Sequence, residues 1–194
     1  MSIRPLVVVV AGPNGAGKST TAPGLLRGAL AVSEFVNADP IARGLSHFHP
    51  ESVALAAGRV MLARLKALAA AREDFAFETT LASRSFAPWL RTLRASGYRA
   101  HLLFLSLPAA DLAVGRVADR VRRGGHDVPE ATIRRRFESG LRNFVQIYES
   151  VVDSWQVFDN AGLTGPRLIA SGGADIEETV LDEGSWRRLR GSVR

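Results

Sequence analysis

The sequence predicts an α/β fold in three layers, with helices on both faces of a mostly parallel five-stranded sheet and an arginine-rich helical lid. Three observations predict it. Leu6 to Ala11 is a continuous β-branched run, the mark of a strand buried on both faces. A glycine-rich turn from Gly12 to Gly17 follows it and opens a helix. Beyond that turn, short apolar runs alternate with segments of helical period, the pattern of a parallel sheet with crossover helices. Residues 1–194 read as a single domain, with a lid segment at about 116–136.

The elements follow in order. The first helix starts at Lys18 and runs to about Arg27, with Gly28 near its end. Ser33 to Ala38 reads as a second strand that delivers Asp39 and Pro40 to its carboxyl end. Pro50 opens a long helix to about Arg72, with Val53, Leu55, Val60, Leu62, Leu65 and Leu68 as its apolar residues. Asp74 to Phe77 is a short strand ending in Glu78-Thr79-Thr80, and Phe86 to Ala95 is a helix stopped at Gly97. Arg99 to Leu107 is a buried strand, followed after Pro108 by a helix to about Arg123 that Gly124-Gly125 must break. Asp127 and Glu130 are spaced as a capping box for a helix reaching about Ser150. Gln156 to Phe158 and Arg167 to Ala170 read as short strands, and the tail after Ala174 as a short helix.

Composition narrows the chemistry. Hydrophobic residues make up 46% of the chain, enough for a real core. There is no cysteine, which excludes a disulfide framework, a thiolate metal site and a cysteine nucleophile. That usage suits a reducing, cytoplasmic setting. The apolar run in residues 1–11 ends in the glycine-rich turn and is read as a core strand, not a signal peptide. No apolar stretch is long enough to span a bilayer, so no membrane partner is expected. The net charge of +6 is nearly all arginine, with Lys18 and Lys66 the only lysines. The C-terminal WRRLRGSVR reads as a solvated basic tail.

The turn carries the most specific signal. AGPNGAGKST contains G-x-x-x-x-G-K-[ST] as Gly12, Gly17, Lys18 and Ser19, between a buried strand and a helix as a Walker A P-loop requires. Glycines let successive backbone N–H groups converge on phosphate oxygens, and the helix dipole points the same way. Gly12, Pro13, Asn14, Gly15, Ala16, Gly17, Lys18, Ser19 and Thr20 form the expected ATP-binding set. Lys18 can reach the β- and γ-phosphates, and Ser19 offers a hydroxyl to Mg2+. No strand ends in Asp-Glu beside an LSGGQ-like signature, and no NKxD-type motif is present, which argues against ABC-type ATPases and GTPases.

Three further constellations point to phosphoryl transfer. Asp39 lies at a strand end where a carboxylate can orient an acceptor hydroxyl and take its proton; its place before Pro40 equally suits a helix N-cap, and spacing leaves both open. Glu78 could hold Mg2+ through water or bind a substrate hydroxyl, with Thr79 donating to substrate; the alternative is a polar strand end facing solvent. RVADRVRRGGHDVPEATIRRRF places arginines on both sides of a Gly-Gly hinge, as in a lid that neutralises a transferring phosphoryl group. Arg116, Arg120 and Arg123 share one helical face, and Arg134, Arg135 and Arg136 start the other arm; solvated basic faces are the alternative. The stretch lacks the interleaved aromatics that stack bases, so nucleic acid is not the expected partner. His126 reads as a hinge or capping residue, and no histidine has a second ligand at metal spacing.

Together, AGPNGAGKST, VNADPIARGLS, FAFETTLAS, RVADRVRRGGHDVPEATIRRRF and FDNAG resemble the zeta toxin-like family of P-loop kinases over most of residues 5–162. The resemblance implies a kinase-like parallel sheet with a lid, ATP and Mg2+ as cofactors, and phosphorylation of the 3′-hydroxyl of the amino sugar in UDP-N-acetylglucosamine. It implies a small antitoxin protein as partner. It makes Lys18 the P-loop lysine, Asp39 the catalytic base, Glu78 and Thr79 the strand end that meets substrate or metal, and Arg120 with Arg135 or Arg134 the lid arginines. The insertions that shape the sugar pocket of the best-known members are not evident here. Two other functions fit the P-loop: a polynucleotide kinase or RNA-binding ATPase, and a non-catalytic ATP-binding interaction module.

Overall fold

The computed structural model describes residues 4–28, 30–47, 49–125, 127–162 and 164–193, with side chains for all of these except 50 and 51. The expected position of His126 lies outside the described residues. A sheet of seven strands runs in the order β2-β3-β1-β4-β5-β6-β7. Its strands are β1 (Leu6–Ala11), β2 (Glu34–Val36), β3 (Phe75–Thr79), β4 (Arg99–Ser106), β5 (Ser154–Asp159), β6 (Arg167–Gly173) and β7 (Ile176–Val180). The first five are parallel, and β6 and β7 are added antiparallel. The helices are α1 (Lys18–Arg27), α2 (Ala38–Leu45), α3 (Ala54–Ala70), α4 (Phe86–Ala95), α5 (Ala110–Arg122) and α6 (Glu130–Asn143). A π turn (Phe144–Tyr148) leads from α6 into α7 (Glu149–Val151), and α8 (Glu183–Gly191) ends the chain.

Alternation along β1 builds the three layers. Val7, Val9 and Ala11 face one core with residues of α3, α4, α6, the π turn and α8. Val8 and Val10 face the other core with α1, α5 and the start of α6. Both sides of β1 are fully buried, so the run needs no polar face. The register places Glu78 opposite Val10 and Thr79 opposite Ala11, at the carboxyl end of the central strand where the glycine-rich turn begins.

Several expectations are corrected. The sheet has seven strands, not five, because β6 joins the five parallel strands in antiparallel pairing with β5 and the segment after Ala174 then pairs back on β6 as a hairpin. The residues of β7 are mostly exposed, so nothing in their hydrophobic pattern marks a strand; backbone pairing alone makes it one. The basic C-terminus is not a solvated tail: α8 buries Trp186 and Leu189 against the sheet, and Trp186 stacks on Trp155. Helix α3 buries Ala57, Met61, Leu65 and Leu68, whereas Leu55 is 84% exposed. Ala57 and Met61 complete the inward stripe with Leu65 and Leu68, while Leu55, Val60 and Leu62 are exposed. The second strand stops at Val36, because Asn37 caps α2 by accepting a hydrogen bond from the Asp39 N–H. Asp127 and Glu130 form no capping box: α6 starts at Glu130 after Pro129, with no side-chain cap, and Glu130 pairs instead with Arg134. Gly124, at φ 82°, breaks α5 as expected.

Candidate active site

The glycine-rich turn is shaped by close approach. Gly12 has φ 141° and a Cβ there would lie 2.3 Å from the Leu105 carbonyl oxygen, so only glycine lets the chain leave β1 beside β4. Gly17, at φ 77°, precedes α1 and packs against the Asn160 amide, which donates to the Ala16 carbonyl at 2.8 Å. The turn is thus braced from the end of β5. Pro13, Asn14, Gly15 and Ala16 complete it, and Ser19 and Thr20 are exposed on the first turn of α1.

Lys18 is 6% exposed. Its ammonium donates to the Pro13 carbonyl at 2.9 Å and lies 3.6 Å from Glu78 Oε1. Burial pushes its pKa down, Glu78 and Asp39 push it back up, and the nearby charge of Arg120 adds to the lowering. Such a lysine lies across the turn where a phosphate would sit. Ser19 Oγ and Asn37 Nδ2 each donate to Glu78 Oε2 at 2.7 Å, and Asn37 Nδ2 is 3.3 Å from Ser19 Oγ. A hydroxyl and a carboxylate side by side suit a hard divalent cation, which keeps water and phosphate oxygens in the rest of its shell.

Asn37 was not among the residues expected from sequence, yet it joins three elements. Its oxygen caps α2 and its amide holds Glu78. The signal available was an Asn two residues before an Asp at a strand end, a helix-cap pattern. Because Asn37 is the cap, the Asp39 carboxylate is released from capping. Asp39 is exposed on the first turn of α2, and its charge acts on both Lys18 and Arg136.

The lid arginines divide by role. Arg116 donates to the carbonyls of Asn160 and Ala161 at 2.7 and 2.8 Å, tying α5 to the loop after β5. Arg134, expected at the phosphates, turns instead to Asp111 at 2.7 Å and Glu130 at 2.8 Å, and bridges the two lid arms at the surface. The helical turn places Arg135 in solvent. Arg136 is the member of the run that reaches the P-loop, with its guanidinium 3.4 Å from Asn14 Oδ1. Burial lowers its pKa, Arg135 adds to that, and Asp39 opposes it. A period of 3.6 residues admits only one of three consecutive arginines to the cleft, and sequence cannot tell which. Thr79 and Thr80 lie half-buried beside Glu78.

The family model described as Zeta toxin matches residues 1–165. The chain belongs to the zeta toxin family. A Haemophilus influenzae protein described as uncharacterized is 27% identical to this zeta toxin-family chain over 128 residues, 65% of this chain and 88% of that one. A chain of the AvrRxo1-ORF1:AvrRxo1-ORF2 complex has the same fold, with a TM-score of 0.75 at 12% identity over 97% of this chain. The zeta toxin-family chain spans only 64% of that chain. The same complex solved with ATP gives a TM-score of 0.75 at 13% identity, again over 97% of this chain and 64% of that one. A chain from the PezAT toxin-antitoxin system of Streptococcus pneumoniae gives a TM-score of 0.71 at 14% identity, over 97% of this chain and 79% of that one. The chain shares the kinase-like P-loop fold of these structures. No helix among the described residues is long and apolar enough to cross a membrane.

Proposed function

We propose that this zeta toxin-family protein transfers the γ-phosphate of ATP to a hydroxyl of a nucleotide sugar such as UDP-N-acetylglucosamine. The observation that supports it most is the meeting of Asp39, Lys18 and Arg136 charges at the mouth of the P-loop. The acceptor oxygen attacks the γ-phosphorus while the bond to the β–γ bridging oxygen breaks and ADP leaves. Asp39 takes the hydroxyl proton. Lys18, with Arg136 and Arg120 from the lid, offsets charge on the transferring group. Ser19 and Glu78 would hold Mg2+, which supplies further charge neutralisation when bound. Thr79 and Thr80 face the acceptor. A small antitoxin protein is the proposed partner, since similar folds come from toxin-antitoxin systems.

The test incubates the purified chain and its Asp39→Asn variant with γ-labelled ATP, Mg2+ and UDP-N-acetylglucosamine, beside an unfractionated nucleotide pool. Label should move to the sugar nucleotide with the wild type. The variant should lose at least about 10³-fold in rate while ATP affinity stays within about twofold. Label in another member of the pool moves the acceptor and keeps the kinase. Full activity in Asp39→Asn removes the proposed base.

A further inference from the structure

The loop after β3 is held in an unusual conformation. Leu81 has φ 55°, a left-handed backbone that a leucine rarely adopts, and its side chain is fully buried. That bend makes two short turns. The Leu81 N–H donates to Thr79 Oγ1 at 3.1 Å and the Ala82 N–H to Thr80 Oγ1 at 3.4 Å. Each hydroxyl oxygen thereby accepts a backbone hydrogen bond, which leaves its O–H to serve as a donor.

What holds the bend comes from the lid's second arm. Asn143, at the end of α6 and 4% exposed, donates from Nδ2 to the Leu81 carbonyl at 2.7 Å. Its Oδ1 accepts from Arg84 Nε at 3.3 Å. Gly140, one turn earlier, lets the backbone of α6 press on the loop: a Cβ there would lie 2.3 Å from the Thr80 carbonyl oxygen. The π turn begins directly after Asn143, and Tyr148 within it donates its hydroxyl to the Ser83 carbonyl at 3.0 Å. π turns interrupt α-helices preferentially at functional sites, because they re-aim the side chains around them. The same helix carries Arg136 to Asn14 of the P-loop.

We propose that Asn143 is a positioning residue for the phosphate acceptor: through the Leu81 carbonyl it sets the Thr79 and Thr80 hydroxyls, and it couples the seating of α6 over ATP to the shape of the acceptor loop. The acceptor role rests on the kinase reading above; the coupling itself does not. Asn143 does not touch the reacting atoms. Its effect is carried entirely by the loop.

The test uses the full chain with Asn143→Leu, which keeps size and removes the amide, and Gly140→Ala, which pushes on the same loop without leaving a buried polar group unpaired. Each variant is expected to raise the KM for UDP-N-acetylglucosamine about tenfold or more, with the KM for ATP within about twofold. Hydrogen exchange of the peptide covering residues 75–90 is the second readout. A non-hydrolysable ATP analogue should slow exchange there in the wild type, and that protection should be lost in the variants. Unchanged acceptor KM in a folded variant overturns the acceptor role, as does an equal rise in the KM for ATP. If Asn143→Leu fails to fold, Gly140→Ala decides alone. If the wild type transfers phosphate to nothing tested, the kinase reading fails and exchange decides the coupling: retained protection in the variants overturns it, lost protection supports it.

Discussion

Glu78 and Glu149 are both nearly buried, with side chains 10% and 15% exposed, yet donors are supplied to them very differently. Glu78, at the phosphate end of β3, receives hydrogen bonds from Ser19 and Asn37 and faces Lys18. Glu149, in α7, has Arg190 at 3.0 Å but shares that cation with Glu178, whose carboxylate lies 2.9 Å from it. Glu149 Oε1 is buried with no hydrogen-bond partner among the described residues. Burial pushes its pKa up to about 7, against the pull of Arg190. The first carboxylate is surrounded by groups from two separate elements, the start of α1 and the cap of α2, which converge where a triphosphate would bind. The second fastens β7 and α8 to the body of the protein and is left short of donors. A buried acid at the active end is matched with partners, and one in a structural latch tolerates mismatch because stability elsewhere offsets it.

This contrast can be broken by substitution. The largest effect is expected at Glu78→Gln, which removes the charge facing Lys18 and one oxygen of the Ser19–Glu78 pair. Phosphoryl transfer should fall about 10³-fold and the Mg2+ concentration for half-maximal rate should rise, read from a Mg2+ titration of steady-state transfer. A change under about threefold would reduce Glu78 to a structural acid like Glu149. Next, Arg136→Ala should lower kcat about 10²-fold with ATP affinity less affected, measured by single-turnover transfer.

Glu149→Gln sharpens the other side. The folded chain keeps the Glu149 proton up to about pH 7, whereas the unfolded chain loses it near its ordinary value of 4.5. The folded state therefore binds more protons in that window, and Glu149 makes stability fall as pH rises from about 4.5 to about 7 and stay level above. The glutamine variant should be more stable than wild type by on the order of 2 kcal/mol at pH 8, and equal to it at pH 4, by urea denaturation at both. An equal gain at both pH values would show that packing, not charge, sets the effect. The smallest effect is expected at Arg134→Ala, which breaks exposed bridges to Asp111 and Glu130. Transfer should stay within about twofold and the urea midpoint should barely move in the same assays. A loss as large as that of Arg136→Ala would return Arg134 to the active site.

Local rules carried much of the fold. Leu6 to Ala11 reads as a doubly buried strand, and Gly12 to Ser19 as a phosphate-binding turn between strand and helix, because both signals lie within a few consecutive residues. The helix Phe86–Ala95 and its stop before Gly97 follow from the same local information. Position decided the rest. Residues 176–180 form a strand only because β6 offers an open edge. Whether Asp39 capped a helix or faced the cleft depended on Asn37, two residues away but bonded across to Glu78, 41 residues later in the chain. Which of Arg134, Arg135 and Arg136 entered the site depended on the angle at which α6 crosses the P-loop.

By itself, the sequence determined that a triphosphate-binding turn sits at the end of a buried strand and that carboxylates and arginines are available to it. Only the tertiary structure decided which of them meet. The physical reason is that a P-loop is built from the backbone of adjacent residues, whereas the Glu78–Asn37–Ser19 cluster and the Asn143 grip on Leu81 join side chains brought together by packing alone.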